Sequence, residues 1–424
     1  METQLKKRKV HSLTGRINPT LMEKAFKAVK RNRGAAGIDK VSIDLYAKHA
    51  YTNLEALMRS LKDRSYVPKP LKRVFIPKGK GKLRPLGIPT VQCRIAQEVV
   101  RQLINPIFEK KFHDNSYGFR PGKNCHQAVE KVLEYLSEGY LYIVDADIKG
   151  FFDNIPHKLI MSEVASEIAD GNILQLIERF LKSGVMEEGQ LRPTTKGTPQ
   201  GGVISPVLAN IVLNPLDQEL SAKGYKFVRY ADDFVILCKT KQQAVEALEL
   251  SKCILEGKMQ LELSPEKTKI VHIMEGFDFL GFHFTHMGVT IRDKSIEKFR
   301  EAVRKLTTRS RNLDAEVIEK LNRVIRGTVN YFATPVTTTI RQFTKLDGWI
   351  RVRIRSMKLK CISKCNNWKM KSKYIYRLGL LRCIQLCKER MNIIYVPKDR
   401  QPLRASPGAR KMHAGKYREL TLLR

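Results

Sequence analysis

Two short segments bring carboxylates to the ends of apolar, β-prone runs. The first is Tyr142-Ile143-Val144-Asp145-Ala146-Asp147-Ile148-Lys149-Gly150-Phe151-Phe152-Asp153. The second is Val228-Arg229-Tyr230-Ala231-Asp232-Asp233-Phe234-Val235-Ile236-Leu237. A strand that runs straight into a carboxylate holds it on a rigid base. Carboxylates gathered at one site repel one another, which raises their pKa values. A bound divalent cation reverses that penalty. Mg²⁺ suits such a site because it takes a few carboxylates and fills its other positions with substrate phosphates. Two such ions about 4 Å apart activate a 3′-hydroxyl and stabilise a pyrophosphate leaving group. On the residues alone Asp145, Asp147, Asp153, Asp232 and Asp233 are all candidates, and either segment by itself is equally compatible with ordinary turn acids.

The elements that must position these acids follow from the pattern around them. Leu141 to Val144 reads as a short buried strand, and Phe227 to Cys238 as two strand pieces around Ala231-Asp232-Asp233, a hairpin with acids in its turn. Leu71 to Pro89 reads as two short strands around the flexible turn Gly79-Lys80-Gly81-Lys82. From Val91 to Phe112 the apolar residues Ile95, Val99, Val100, Leu103, Ile104 and Phe108 recur at helical spacing. Residues 1–70 alternate basic helical stretches with a turn at 32–37, and helices fill roughly 157–185. Leu261 to Phe284 is strand-like, and the pattern is helical from about 290 to the end of the 380s.

The charge balance narrows the class of partner. The 424 residues carry 78 Lys and Arg against 42 Asp and Glu, a formal charge of +36. Self-repulsion at that level favours a polyanionic partner. Residues 351–424 hold 21 bases and 3 acids, which is half of the whole excess. Such a block is usually a solvated or polyanion-binding surface, here expected to face RNA or DNA. No apolar run approaches the roughly 20 residues needed to span a bilayer. The basic start METQLKKRKVHSLTGRIN has no apolar stretch behind it and is not read as a secretory signal. Eight cysteines in so long a chain read as reduced thiols. Cys361, Cys365, Cys383 and Cys387 repeat a C-x3-C spacing that could in principle hold Zn²⁺, but pairs at i,i+4 more simply share the buried faces of two helices, so structural zinc is disfavoured.

Taken in order, the segments resemble the group II intron-encoded reverse transcriptase/maturase family. Tyr230-Ala231-Asp232-Asp233 looks like its YxDD signature, and Asp147 matches its first metal-binding aspartate. Pro199-Gln200-Gly201-Gly202-Val203-Ile204-Ser205-Pro206 resembles the PQGG block between them. Asn32 to Asp39, Arg84 to Pro89 and Ser116 to Pro121 resemble upstream and fingers blocks. Phe279-Leu280-Gly281-Phe282 is similar to the primer grip, and Arg326 to Phe332 with Leu346-Asp347-Gly348-Trp349 to the thumb or maturase region. Order and spacing hold from about residue 12 to about 365.

The resemblance implies an α/β right-hand polymerase, with fingers and a palm with an antiparallel sheet, followed by an α-helical thumb/maturase domain. The expected division is 1–95 for the N-terminal extension and fingers, 96–290 for the palm with interleaved fingers helices, 291–365 for the thumb, and 366–424 for a basic nucleic-acid-binding tail. It also implies the roles. Asp147 and Asp232 would bridge two Mg²⁺ ions, Asp233 would support them, and the carbonyl of Ile148 would add a ligand. Phe152 would lie under the incoming sugar and reject a 2′-hydroxyl, unless it is a core aromatic beside Phe151. Lys78, Arg84, Gln200 and Lys269 would contact the nucleotide, and Leu280, Gly281 and Phe282 the primer. Arg323, Arg326, Arg351, Arg353 and Arg355, interleaved with Tyr331, Phe332 and Trp349, would face RNA unless the rings belong to a helical core. The expected partners are intron RNA, an RNA template, a DNA primer or target and deoxynucleotides, with no membrane. The expected setting is a bacterial cytoplasmic ribonucleoprotein, or an organelle. Neither a His-Asn-His triplet nor a C-x2-C pair occurs, so second-strand DNA cleavage is not expected. The alternatives are a polymerase of this fold in host repair or defence, and a splicing-only RNA-binding protein.

Overall fold

A computed structural model describes residues 9–79, 82–198, 201–361 and 368–391. The chain divides into two compact units, one of residues 1–131 and 144–270, the other of 132–143 and 271–424.

In the first unit, β1 (Leu71–Gly79) and β2 (Lys82–Ile88) form the expected antiparallel hairpin. Further strands are β3 (Tyr142–Asp147), β4 (Val185–Glu187), β5 (Gln190–Arg192), β6 (Lys226–Tyr230), β7 (Asp233–Cys238) and β8 (Lys269–His272), of which the first two residues of β3 and the last two of β8 fall in the second unit. One sheet has the order β2-β1-β4-β5 and the other β6-β7-β3-β8. The helix Val91–Glu109 begins where Thr90 Oγ1 accepts the Cys93 amide at 3.1 Å, a standard N-cap. Its apolar side is buried at Ile95, Val99, Val100, Leu103 and Ile104. Arg94, on its first turn, donates to the carbonyls of Pro89 and Ala35, which ties the Asn32–Asp39 block to this helix. The helix Ser205–Ala222 is apolar almost all round and correspondingly buried.

In the second unit, β9 (Phe277–Phe279), β10 (Phe282–Thr285) and β11 (Gly288–Ile291) form a three-stranded antiparallel sheet, order β11-β10-β9. Helices Asp293–Leu306, Ala315–Phe332, Ile340–Lys358, Ser372–Arg377 and Cys383–Arg390 follow. Asp314 caps the second of these by accepting from Val317 N at 2.8 Å. Asp347 is 5% exposed and accepts from the amides of Cys383 and Ile384 at 2.8 and 2.9 Å. That places a carboxylate on the positive end of the last helix. Cys383 and Cys387 share the buried face of that helix, and burial raises both thiols, which disfavours the thiolates a metal needs. Cys365 lies outside the described residues. The described residues are mixed α/β, with mainly antiparallel strand pairs, a parallel pair between β1 and β4, and a helical C-terminal region. No described helix is long and apolar enough to cross a membrane.

Candidate active site

β3 delivers Asp147 as its last residue. Val144 and Ala146 point into the core, so Asp145 and Asp147 share the opposite, half-buried face. The Ser264 amide donates to the Asp147 carbonyl at 2.8 Å and the Lys149 amide to the Glu262 carbonyl at 2.9 Å. Between them Ile148 faces Leu263 in an antiparallel bridge. Ile148 is thus at a non-hydrogen-bonded pair, whose carbonyl these ladder bonds do not use. Asp153 is exposed, on the short helix Phe151–Asn154.

β6 and β7 deliver Asp232. Their register pairs Tyr230 with Asp233, so Ala231 and Asp232 form a two-residue turn. Ala231 sits at φ 60°, in the left-handed region that costs a residue with a Cβ about 1–2 kcal/mol. Such a conformation persists only where surroundings enforce it. Here they do. Arg229 is wholly buried and donates from Nε to Asp217 Oδ1 at 2.7 Å, with a second, shorter bond to Asp217 Oδ2. Its Nη1 donates to Asn210 Oδ1 at 3.0 Å and to the Ala231 carbonyl at 2.8 Å. Asn210 Nδ2 in turn donates to the Gly118 carbonyl at 2.8 Å. Gly118 lies so close to the backbone of Tyr230 and Ala231 that any Cβ there would collide with it. The Tyr117 amide donates to the Arg229 carbonyl at 2.8 Å, and the Arg229 amide to the Asn115 carbonyl at 2.9 Å. The Ser116–Pro121 segment therefore backs the acidic turn.

The electrostatics tie the two acids together. Burial pushes the Asp232 carboxyl above the usual carboxylate range, and the like charge of Asp147 adds to that, while Arg84 and Lys267 oppose it. Lys267 Nζ lies 2.7 Å from Asp147 Oδ2. A carboxylate pair relieved by cations, with backbone oxygen at hand, is a donor set for a hard divalent ion. Among the described residues no three acidic, thiol or imidazole groups already converge as a closed cage. Mg²⁺ does not require one, since it is commonly held by one or two carboxylates with water and phosphate.

The other expected residues divide. Arg84 is exposed on β2 and acts electrostatically on Asp232. Phe151 is the core ring at 1% exposure, while Phe152 is only half-buried, edge-on to it with ring centroids 5.4 Å apart. The Phe152 carbonyl accepts from Thr198 N at 2.7 Å. Gln200 and the side chain of Lys78 lie outside the described residues. Lys269 begins β8 and is exposed, and it is Lys267, two residues earlier, that meets Asp147. Asp233 is exposed at the start of β7.

In the second unit Phe279 pairs with Phe282, so Leu280 and Gly281 form a two-residue turn at φ 50° and 83°. Two left-handed residues suit the right-handed twist of a tight hairpin, and glycine takes such a φ without strain. Tyr331 donates to the Leu280 carbonyl at 2.9 Å and stacks on Phe282 at 5.6 Å, and Phe332 meets Phe282 edge-on at 5.1 Å. Tyr331 and Phe332 are thus a packed support for this turn, which is the core alternative of the two readings. Trp349 is half-buried, with the guanidinium carbons of Arg300 and Arg304 within 5.9 and 5.7 Å of its ring. Arg323 and Arg326 are exposed, Arg323 paired with Glu319. Arg351 donates to Tyr376 Oη, Arg353 to Thr307, and Arg355 to Met370 O and Ser372 Oγ. Those three are braces within the unit.

Sequence reasoning missed Asn210, Asp217, Arg229 and Lys267. The first three left a faint signal: Arg229 follows the apolar pair Phe227-Val228 in β6, and Asp217 lies in a largely apolar helix. Lys267 left none that separates it from Lys269.

Residues 76–284 match the family described as reverse transcriptase (RNA-dependent DNA polymerase), and residues 296–375 match the group II intron, maturase-specific domain. Protein YkfC of Escherichia coli is 35% identical over 303 residues, covering 62% of this chain and 80% of that one. The group II intron-encoded protein LtrA of Lactococcus lactis is 32% identical over 333 residues, covering 63% of this chain and 55% of its own length. An uncharacterized 91 kDa protein in the cob intron of Schizosaccharomyces pombe is 27% identical over 383 residues, covering 70% of this chain and 46% of that one. The chain thus spans about half the length of LtrA. With both domains matched in order, and a relative above 30% identity covered over most of its length, the chain belongs to the group II intron reverse transcriptase and maturase family.

Proposed function

We propose that this chain extends a primer 3′-hydroxyl with deoxynucleotides copied from RNA, and that it binds a group II intron RNA and assists its splicing. The observation that carries the polymerase reading is geometric: the β6–β7 turn presents Asp232, and the end of β3 presents Asp147 with Lys267 Nζ 2.7 Å from it, inside the region matched to reverse transcriptases. Asp147 and Asp232 would hold two Mg²⁺ ions, with Asp233 and the Ile148 carbonyl as further donors; when bound, the ions activate the 3′-hydroxyl and stabilise the pyrophosphate.

The chain's own residues do the rest. Arg84 offers a planar guanidinium to triphosphate oxygens, with Lys78, Gln200 and Lys269 as further nucleotide contacts. The half-buried ring of Phe152 fills the space a 2′-hydroxyl would need, which selects deoxynucleotides. Leu280, Gly281 and Phe282 present a tight backbone turn to the primer. Lys267 supplies a counter-charge to the Asp147 carboxylate. Maturase action needs no side-chain chemistry: binding the folded intron more tightly than the unfolded one shifts its population. The exposed Arg323 and Arg326 serve that contact, and Arg351, Arg353 and Arg355 shape the unit that presents it. The setting we propose is a bacterial cytoplasmic ribonucleoprotein, with an organelle as the alternative, since the relatives include both bacterial proteins and maturases named as mitochondrial.

The test is primer extension on an RNA template with Mg²⁺ and deoxynucleotides. Wild type should synthesise DNA, and Asp232→Ala should lose about 1,000-fold or more, since aligned metals contribute several kcal/mol to the transition state. No synthesis by folded wild type that still binds intron RNA would leave a splicing-only protein.

A further inference from the structure

The segment after the long helix Ile340–Lys358 exposes two large rings that the proposed reading does not use. Trp368 is 75% exposed and Tyr374 is 47% exposed. Neither is loosely based. Arg355, which sequence alone assigns to RNA, holds the Met370 carbonyl at 2.8 Å and Ser372 Oγ at 3.0 Å. Ile375 is fully buried and anchors the turn of helix that carries Tyr374. Arg351 reaches Tyr376 Oη at 2.9 Å, and Arg382 lies 3.9 Å from the centre of the Tyr376 ring. The outer rings are dressed in cations: Lys369 at 5.8 Å from the Trp368 ring, Lys373 and Arg377 at 5.3 and 5.7 Å from that of Tyr374. From 368 to 390 the chain has seven bases and one acid.

We infer that Trp368 and Tyr374 form a stacking platform for unpaired bases of single-stranded RNA, with Lys369, Lys373 and Arg377 on its phosphates. This rests on the RNA-binding reading above and narrows it to a strand whose bases are free. Phosphate contacts alone would need cations and no rings. Exposed tryptophan carries a large unsatisfied apolar surface, and a base has a π-face of matching size whatever its identity. In an A-form duplex those faces are already stacked, and the deep groove shuts side chains out. The excess of bases over acids fits a polyanion better than a protein partner.

The chain has only two tryptophans. Trp349→Phe therefore leaves Trp368 as a single reporter in the full chain. Oligouridylate should quench its fluorescence, and a duplex of equal length at the same salt should not. In the otherwise wild-type chain, Trp368→Ala and Tyr374→Ala should each weaken oligouridylate binding by about 5- to 100-fold, the range that loss of one base–aromatic stack gives. Trp368→Phe should restore most of it. Lys369→Gln should weaken single strand and duplex alike and flatten the salt dependence. Intron RNA binding by wild type with no Trp368 quench and no effect of either alanine overturns the platform and leaves the wider reading standing. Equal quenching by duplex overturns the single-strand assignment. Failure of wild type to bind any RNA overturns both.

Discussion

Two hairpin turns of the same length do opposite jobs. Ala231-Asp232, between β6 and β7, presents charge. Leu280-Gly281, between β9 and β10, presents backbone. Both use left-handed residues, but their support differs in kind. Behind the first lies a buried polar network, Arg229 with Asp217, Asn210 and the carbonyl of Ala231. Behind the second lies an aromatic stack, Phe282 with Tyr331 and Phe332, and one hydroxyl. A turn that must hold a carboxylate against repulsion needs directional bonds, because apolar packing alone lets it slide. A turn that offers only main chain can rest on rings.

The comparison breaks first at Arg229. Arg229→Met leaves Asp217 buried without its cation and should cost about 3–5 kcal/mol in denaturant unfolding. Adding Asp217→Leu should return much of that stability, since an apolar pair of similar volume is often neutral. Primer extension should stay depressed in the double variant, because the Ala231 carbonyl and Asn210 remain unheld. Full recovery of rate with stability would make the network structural only. Gly118→Ala comes next. Its Cβ would force the backbone of Ala231 away, costing about 1–3 kcal/mol, and should lower kcat more than it raises KM for the nucleotide. Tyr331→Phe is the smallest. It deletes one hydroxyl bond to Leu280 and keeps the stack, so stability should fall by about 1 kcal/mol. A loss as large as that of Arg229→Met would show that the second turn, too, depends on polar support.

Much of this was legible in the sequence. The alternation in Phe227–Cys238 and the acids at its centre gave the β6–β7 hairpin and Asp232 at its tip. The run into Asp147 was legible for the same reason, although the strand continues through the acid itself. What periodicity cannot supply is a partner. It puts Arg229 on a buried face without naming Asp217, and it could not separate Lys267 from Lys269 because the turn before β8 sets which of them reaches Asp147. It marked Arg351, Arg353 and Arg355 as nucleic-acid contacts without showing that neighbouring segments also take some of their donors. Tyr331 and Phe332 were ambiguous until β10 brought Phe282 against them.

The central claim is that Asp147 and Asp232 share divalent ions. Fe²⁺ substituted for Mg²⁺, with ascorbate and peroxide, generates hydroxyl radicals at the bound ion and cuts the chain nearby. Cuts close to both residue 147 and residue 232, suppressed by excess Mg²⁺ and absent in Asp232→Asn, are expected. Cuts confined to other segments, or unchanged in Asp232→Asn, would contradict the site.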